Sequence, residues 1–294
     1  RRGRMIPIPT LNTQPLRVPH IQSGVTSNGW EVVHVHRPDL GISSARLMIR
    51  GGYMAGGCGV GPLCDESLLR ILHKEAESSP ISGDIEVGTT PTHSLYSYDG
   101  LASEMPEVLR QLASVLFVPP DVSQHIDLMK KLQIQRLQYA SEQGGALARW
   151  CLSELYHGAG HPCSMGGGIR IGDFRSISIE QTQQSWADRY ARPQGTVVMV
   201  GPNDMEQTMR IVEELLPAAG ARAHVEVPPP ASQWGLYGCQ KDGASQTEIR
   251  LIRPGPRRSH EDFWPMELGI WEMGGLFDGR LNRELRTEGG FTYG

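Results

Sequence analysis

The chain has 294 residues, of which 39% are hydrophobic and 20% are charged, and its formal net charge is -4. A chain of this length buries roughly three quarters of its extended surface, so the composition supports sizeable cores and excludes a disordered or disulfide-stapled class. The weak negative charge provides no basic face for nucleic acid or an anionic membrane, and we expect no nucleic-acid partner.

The first two thirds of the chain combine strand-type and helix-type patterns. Alternating apolar and β-branched residues predict strands over 30–36 and 44–49, joined as a hairpin by a turn at 38–41, and further strands over 85–90, 92–98 and 196–200. Apolar residues at helical spacing predict helices over 65–77, 105–116, 122–140, 146–155, 179–190 and 204–215. This order indicates an α+β fold, with a mixed sheet packed against helices.

Residues 218–243 change in character and are rich in proline, glycine and alanine, which is typical of a linker. Beyond them the pattern predicts a strand over 246–252 and helices over 260–273 and 278–287. This strand, loop and helix order repeats the order over 44–72, which suggests tandem domains. We therefore predict a domain over 1–217, a linker over 218–243, and an incomplete second domain over 244–294.

A glycine-rich loop over 51–61 lies between a predicted strand and a predicted helix, where phosphate can bind. It lacks both a Gly-Lys-Ser/Thr ending and a correctly spaced G-x-G-x-x-G motif. We interpret it as a structural loop.

Cysteines and histidines give no metal-binding pattern by their spacing alone. The cysteines show no C-x-x-C spacing, which predicts neither a disulfide framework nor a zinc finger; they are Cys58, Cys64, Cys151, Cys163 and Cys239. His34 and His36 share one strand face, and His157 and His161 lie four apart in a glycine-containing loop. Neither pair completes a zinc site.

Four ordered segments carry a family resemblance. They are Asn-Gly-Trp-Glu-Val-Val over 28–33, Tyr-His-Gly over 156–158 with His-Pro over 161–162, Tyr-Ala-Arg-Pro over 190–193 before the strand at 197–201, and Met-Gly-Gly-Leu-Phe-Asp-Gly-Arg-Leu-Asn-Arg-Glu-Leu-Arg-Thr-Glu-Gly-Gly-Phe-Thr-Tyr-Gly over 273–294. In this order the chain resembles the M16 zinc peptidases, which include pitrilysin, insulysin and mitochondrial processing peptidase. The resemblance implies the LuxS/MPP-like metallohydrolase fold.

An active half of this family binds zinc through a helical H-x-x-E-H motif, whose Glu polarises the zinc-bound water. In one register of this chain, Cys64 and Leu68 stand where the histidines belong. In the other register Leu63 and Ser67 do, and Glu66 stands at the catalytic carboxylate. Both histidine ligands are absent in either register.

The third zinc ligand of the family is a Glu on a later helix, and the spacing places Arg136 at that position. A guanidinium cannot ligate a cation. His73 and Glu77 lie one helical turn apart nearby, but a solvated helix face explains them better than a relocated site. We therefore expect this chain to hold no metal and no cofactor.

The second half of the family's active site is retained. The resemblance assigns Arg286 and Tyr293, seven residues apart, to an arginine and tyrosine pair that hydrogen-bonds the peptide carbonyl as it becomes an oxyanion. The alternative is structural: Arg286 would pair with Glu288 or another local acid, and Tyr293 would pack in a sheet.

These features predict a non-catalytic, non-zinc-binding subunit of a two-chain M16 metallopeptidase, without activity on its own. A zinc-bearing partner would supply the metal, extended peptides would be the substrate, and Arg286 and Tyr293 would act in trans. The alternative is a scaffold that resembles the core proteins of the cytochrome bc1 complex, with respiratory complex III subunits as partners. Such relatives lie in the bacterial periplasm or the mitochondrial matrix.

Overall fold

The structure, a computed structural model, describes residues 19–54, 59–76, 81–164, 171–220, 226–231 and 234–293. The chain divides into a first unit, Arg1–Glu248, and a second unit, Ile249–Gly294. The domain division predicted from the sequence, with boundaries at 217 and 243, stays a prediction.

The first unit is built on one mixed sheet of six strands. The strands are β1 (Gln22–Val25), β2 (Glu31–His36), β3 (Ile42–Arg50), β4 (Ile85–Thr89), β5 (His93–Leu101) and β6 (Gly195–Gly201). Their spatial order is β1-β2-β6-β3-β5-β4. The β2–β6 pair is parallel, and the other neighbouring pairs are antiparallel.

The predicted hairpin between the second and third strands is wrong. Strand β6 lies between β2 and β3, so that Val33 is opposite Val198, and Val198 is opposite Arg46 on the other side. The reason is burial: β6 is an apolar run whose alternate residues are buried, and a central position gives it a neighbour on both edges. The short edge strand β1 was not predicted.

Besides one 3-10 turn at Ala102–Glu104, seven α-helices complete the described part of the first unit. They are α1 (Val60–Ala76), α2 (Met105–Leu116), α3 (Ser123–Glu142), α4 (Gly144–His157), α5 (Ile171–Ser176), α6 (Ile179–Tyr190) and α7 (Met205–Leu215). Helix α1 begins five residues before its predicted start because Pro62 lies in the first turn, where a missing N–H costs no hydrogen bond. Capping boxes at Ser178 and Asp204 fix where α6 and α7 begin.

The main core lies between one face of the sheet and helices α1, α2, α6 and α7. Trp30 is fully buried in it, and its indole N–H donates to the Pro217 carbonyl over 2.8 Å. Trp186 donates in the same way to the Leu116 carbonyl, also over 2.8 Å. A smaller cluster around Leu63 and Phe174 joins α1 to α3 and α5.

The described residues of the second unit form only short helical segments. They are α8 (Phe263–Ile270), a π-helical turn (Trp271–Gly275), α9 (Arg280–Asn282) and a second π-helical segment (Arg283–Glu288). The strand predicted over 246–252 is not formed. Ile249 and Leu251 are 77% and 90% exposed, and their alternating pattern has no neighbouring strand in the described part of the chain to complete a ladder.

A fully buried ion pair holds α1 to α6. Arg189 donates to Asp65 over 2.7 Å, and both side chains have no solvent exposure. Thr89 and Ser94 also donate to Asp65, over 2.7 and 2.6 Å, which ties the pair to β4 and β5. Burial is the largest single influence and would lower the pKa of Arg189, but the charges of Asp65 and then Tyr190, Cys64 and Tyr96 together outweigh it, and the net pKa is raised.

Two tyrosines extend this network towards the sheet. The Tyr190 hydroxyl donates to Asp65 over 2.6 Å, and the Tyr96 hydroxyl lies 2.8 Å from that of Tyr190. Burial raises the pKa of both hydroxyls, so both remain protonated at neutral pH. Because its charges are hydrogen-bonded on several sides, the network tolerates complete burial.

We predict that Arg189→Met destabilises the first unit strongly, because it leaves the Asp65 carboxylate buried without its cation. The expected loss is about 3–5 kcal/mol of unfolding free energy, measured by urea denaturation followed by circular dichroism. The matched control is Arg210→Met, which removes an exposed pair with Glu206 and should have a much smaller effect. Equal effects of the two substitutions would contradict this account.

His34 makes the fold sensitive to acid. Its side chain is fully buried on β2, and neither ring nitrogen has a hydrogen-bond partner among the described residues. Burial, followed by repulsion from His36, lowers the pKa of His34, and the nearby Asn203 backbone and Asp204 carboxylate offset this only in part. The folded state therefore binds the proton less readily than the unfolded state does.

We predict that stability falls as pH is lowered below about 6.5, the pKa of an unperturbed histidine, because unfolded chains then bind more protons than folded ones. His93 and His157 also have lowered pKa values and contribute with the same sign. The His34→Leu variant should lose less stability than the unsubstituted chain between pH 7 and pH 5, measured by urea denaturation. An identical pH dependence in both proteins would show that His34 is not responsible.

Candidate functional site

A cavity of about 310 Å³ opens beside the edge strand β4, between α1 and α3. It is lined by Tyr53, Pro62, Glu66, Val87, Thr89, Gln133, Arg136, Leu137 and Phe174. Residues 133, 136 and 137 are three and four positions apart on α3, so this helix presents one face to the cavity. Apolar side chains form most of the wall, and Glu66 and Arg136 contribute its charges.

Glu66 and Arg136 form an ion pair across the cavity. The guanidinium Nη1 donates to the carboxylate Oε1 over 2.8 Å. The Arg136 side chain is 59% exposed and that of Glu66 is 26% exposed, so solvent screens the pair and its contribution to stability is small. The pair is notable for its position in the fold, because family spacing places Arg136 where the third zinc ligand of M16 enzymes would stand.

The geometry favours one of the two registers considered for the metal-binding helix. In the register that places Glu66 at the catalytic carboxylate, Leu63 and Ser67 occupy the histidine positions. Both are fully buried, and the Ser67 hydroxyl donates to the Leu63 carbonyl over 2.8 Å. This register places Glu66 at the catalytic carboxylate, and family spacing places Arg136 at the third zinc ligand. Both positions would face the same metal, and the two side chains are in contact here.

The other register places Cys64 and Leu68 at the histidine positions, and both belong to the main core with no solvent exposure. Burial raises the pKa of the Cys64 thiol to about 12, so it is protonated at neutral pH. Leu68 has no donor atom, so this register provides one thiol at most. Neither register therefore provides a set of side chains that fits zinc.

The remaining histidine candidates have other contacts. His73 bonds with the Ile85 carbonyl over 3.0 Å, and Glu77 lies outside the described residues. His157 ends α4 and stacks on His161, with ring centroids 5.1 Å apart. Among the residues described, no group of three or more His, Cys, Asp or Glu side chains could hold a metal ion.

Strand β4 offers its outer edge next to the cavity. It pairs with β5 on one side and is the last strand in the sheet order. Val87 and Thr89 of this strand line the cavity. An extended peptide can add to such an edge through main-chain hydrogen bonds, with alternate side chains entering neighbouring pockets.

Arg286 and Tyr293 lie in the second unit. Arg286 is half-buried in the second π-helical segment, with its guanidinium 4.6 Å from the centre of the Phe277 ring. Glu288 lies 3.9 Å from Arg283, so the predicted alternative pairing of Glu288 with Arg286 is not the arrangement observed. Tyr293 is 91% exposed, which leaves its hydroxyl accessible to a ligand. The catalytic role of the two residues stays a prediction.

Sequence reasoning missed Asp65 and Arg189, the residues that position α1. The separation of 124 residues between them gives no periodic signal. It also missed the contact between Glu66 and Arg136. A signal for it was present, because the two residues have opposite charges and stand at positions that in the family face the same metal. No helix in the described part of the chain is long and apolar enough to cross a membrane.

Comparison with known proteins confirms the M16 resemblance and the M16 fold. Residues 176–294 match the family model described as Peptidase M16 inactive domain. The alpha subunit of mitochondrial-processing peptidase from Solanum tuberosum is 24% identical over 211 residues, which cover 71% of this chain and 40% of the potato protein. The chain thus matches less than half the length of that relative.

Solved structures show the same fold. A peptidase M16 inactive domain from Pseudomonas fluorescens has a TM-score of 0.71 and 21% identity, over 94% of this chain and 69% of that one. A protease from Helicobacter pylori gives 0.69 and 11%, over 93% and 70%. Complex III2 from Candida albicans gives 0.56 and 15%, over 73% and 50%.

We predict that the purified chain binds much less than one zinc ion per molecule after incubation with zinc and removal of weakly bound metal. Metal content is measured by plasma mass spectrometry. The combined variant Leu63→His, Ser67→His and Arg136→Glu recreates three ligands around Glu66. Its zinc content should rise towards one ion per chain, provided that its circular dichroism spectrum matches that of the unsubstituted chain. Stoichiometric zinc held by the unsubstituted chain through these residues would overturn this account.

Proposed function

We propose that this chain, an M16 peptidase homologue of the non-catalytic type, is the subunit of a two-chain metallopeptidase that completes the peptide-binding chamber without binding zinc. The observation that carries the proposal is the ion pair between Glu66 and Arg136. It brings a guanidinium to the carboxylate that in a zinc-bearing half would act on metal-bound water. A fixed cation of this kind neutralises the carboxylate but supplies no activated water.

The proposed substrate is an extended peptide or an unfolded segment. Strand β4 provides an unpaired edge in the described sheet, and the cavity beside it accepts a side chain between apolar walls. Main-chain hydrogen bonds to an edge strand favour extended peptides over folded proteins, because a folded protein has already paired its own backbone. This mode of binding needs no metal in the chain that provides the edge.

Arg286 and Tyr293 are the proposed catalytic contribution, made in trans to a zinc-bearing partner. A guanidinium and a phenolic hydroxyl can donate hydrogen bonds to the oxyanion that forms when water attacks the peptide carbonyl. The guanidinium of Arg286 lies over the Phe277 ring, 4.6 Å from its centre, and this contact restrains the side chain. The exposure of Tyr293 is compatible with the same role.

A structural scaffold is the second candidate. The similarity in fold to a chain of Complex III2 from Candida albicans favours it, although that likeness extends to the fold alone. A scaffold has no chemical need for Arg286 and Tyr293. Native purification distinguishes the two: respiratory membrane subunits as companions indicate a scaffold, and a chain with H-x-x-E-H indicates a peptidase.

We predict that the complex with the co-purifying zinc-bearing chain cleaves unstructured peptides, and that Arg286→Ala lowers kcat by about a hundredfold or more. The matched control is Arg283→Ala, three residues earlier, whose side chain pairs with Glu288 and should not affect the rate. Peptide cleavage is measured with a quenched fluorescent substrate, after gel filtration has shown equal complex formation. Full activity of the Arg286→Ala complex would exclude the catalytic role in trans.

A further inference from the structure

Two cysteines from distant parts of the first unit come together on the surface of α4. Cys151 lies in the middle of this helix and is half-buried. Cys239 is exposed and lies in the irregular segment that follows α7. We call the described residues 226–231 and 234–248 of that segment the strap.

The strap runs along α4 from its C-terminal end to its N-terminal end. At the C-terminal end, the Ala231 N–H donates to the His157 carbonyl over 3.1 Å, and His161 bonds with the Pro228 carbonyl over 3.1 Å. At the N-terminal end, Glu248 Cγ lies 3.7 Å from the position that a Cβ on Gly144 would take. Contacts at both ends therefore place the strap alongside this helix.

Along the strap, Cys239 lies between these two end contacts. Along the helix, Cys151 likewise lies between Gly144 and His157. From Cys151 the helix extends about 9 Å to His157 and about 10 Å to Gly144, at 1.5 Å per residue. Burial and a hydrogen bond with the Cys239 thiol, in that order, raise the pKa of Cys151 to about 11. The strap thus crosses α4 with the two thiols in direct interaction.

We propose that Cys151 and Cys239 are a redox modification site, which closes to an intramolecular disulfide when the chain meets a small disulfide oxidant such as oxidised glutathione. The Cys239 thiolate attacks the oxidant, forms a mixed disulfide and releases one glutathione. Cys151 loses its proton, attacks the Cys239 sulfur and releases the second glutathione. The protein loses two protons and two electrons, and the oxidant takes them up to become two thiols.

The order of attack follows from exposure. Cys239 is exposed and reaches the oxidant, whereas Cys151 is half-buried and protonated at neutral pH, which suits an intramolecular second step. The closed form would fix the strap on α4 and leave only residues 240–248 between the cross-link and the second unit. This inference does not depend on the proposed function.

The test is oxidation of the full chain in a glutathione buffer, followed by alkylation and non-reducing peptide mapping. We expect the loss of two free thiols and one linked peptide pair, Cys151 with Cys239. The control Cys163→Ser, which removes another half-buried thiol, should give the same pair. Cys151→Ser should instead leave a glutathione adduct on Cys239.

A second measurement follows the strap itself. Trypsin cleavage after Lys241 should slow on oxidation of the unsubstituted chain, recover on reduction, and be unaffected by oxidant in Cys151→Ser. Three outcomes would overturn the proposal: all thiols remaining free, a pair that involves Cys58, Cys64 or Cys163, or a cross-link only between two chains on non-reducing gels. A persistent glutathione adduct on Cys239 of the unsubstituted chain would overturn it as well.

Discussion

The buried ion pair between Asp65 and Arg189 is the interaction on which the first unit depends. It fastens α1 to α6 and, through hydroxyl groups on β4 and β5, to the sheet. Asp65 is directed into the protein, and its neighbour Glu66 is directed to the cavity where Arg136 of α3 meets it. The buried Asp65 carboxylate must keep its hydrogen-bonded partner, which allows α1 little freedom to rotate or slide. The position of the candidate site is therefore set by a polar contact inside the core.

The same helix is the basis for the proposal that this chain holds no zinc. In either register, the two residues at the histidine positions are used for packing, since Leu63 and Ser67 are fully buried and so are Cys64 and Leu68. A carboxylate left alone beside the cavity would repel an incoming peptide carbonyl. Arg136 removes that repulsion by charge pairing, and leaves a nearly neutral cavity next to an open strand edge. This charge balance supports the proposal that the surface holds a peptide.

Much of the fold follows from local pattern, and the departures have physical causes. Helix α2 and the strand at 196–200 were predicted because their apolar periodicity is decided within a few residues. The insertion of β6 between β2 and β3 was not predictable in this way, because pairing between strands so far apart in the chain leaves no mark on local spacing. The alternation over 246–252 predicted a strand, but a strand forms only where a neighbour completes its ladder. Family spacing located Arg136, whereas its contact with Glu66 required the packing of α1 on α3.

The most direct test of the central claim is the location of zinc in crystals of the native complex, found from anomalous scattering at the zinc absorption edge. We expect a peak in the partner subunit, at a helix with H-x-x-E-H, and no peak beside Glu66, where the Arg136 guanidinium should lie within hydrogen-bonding distance. A zinc peak coordinated by Glu66, with Arg136 displaced from the cavity, would contradict the account and identify this chain as a metal-bearing half.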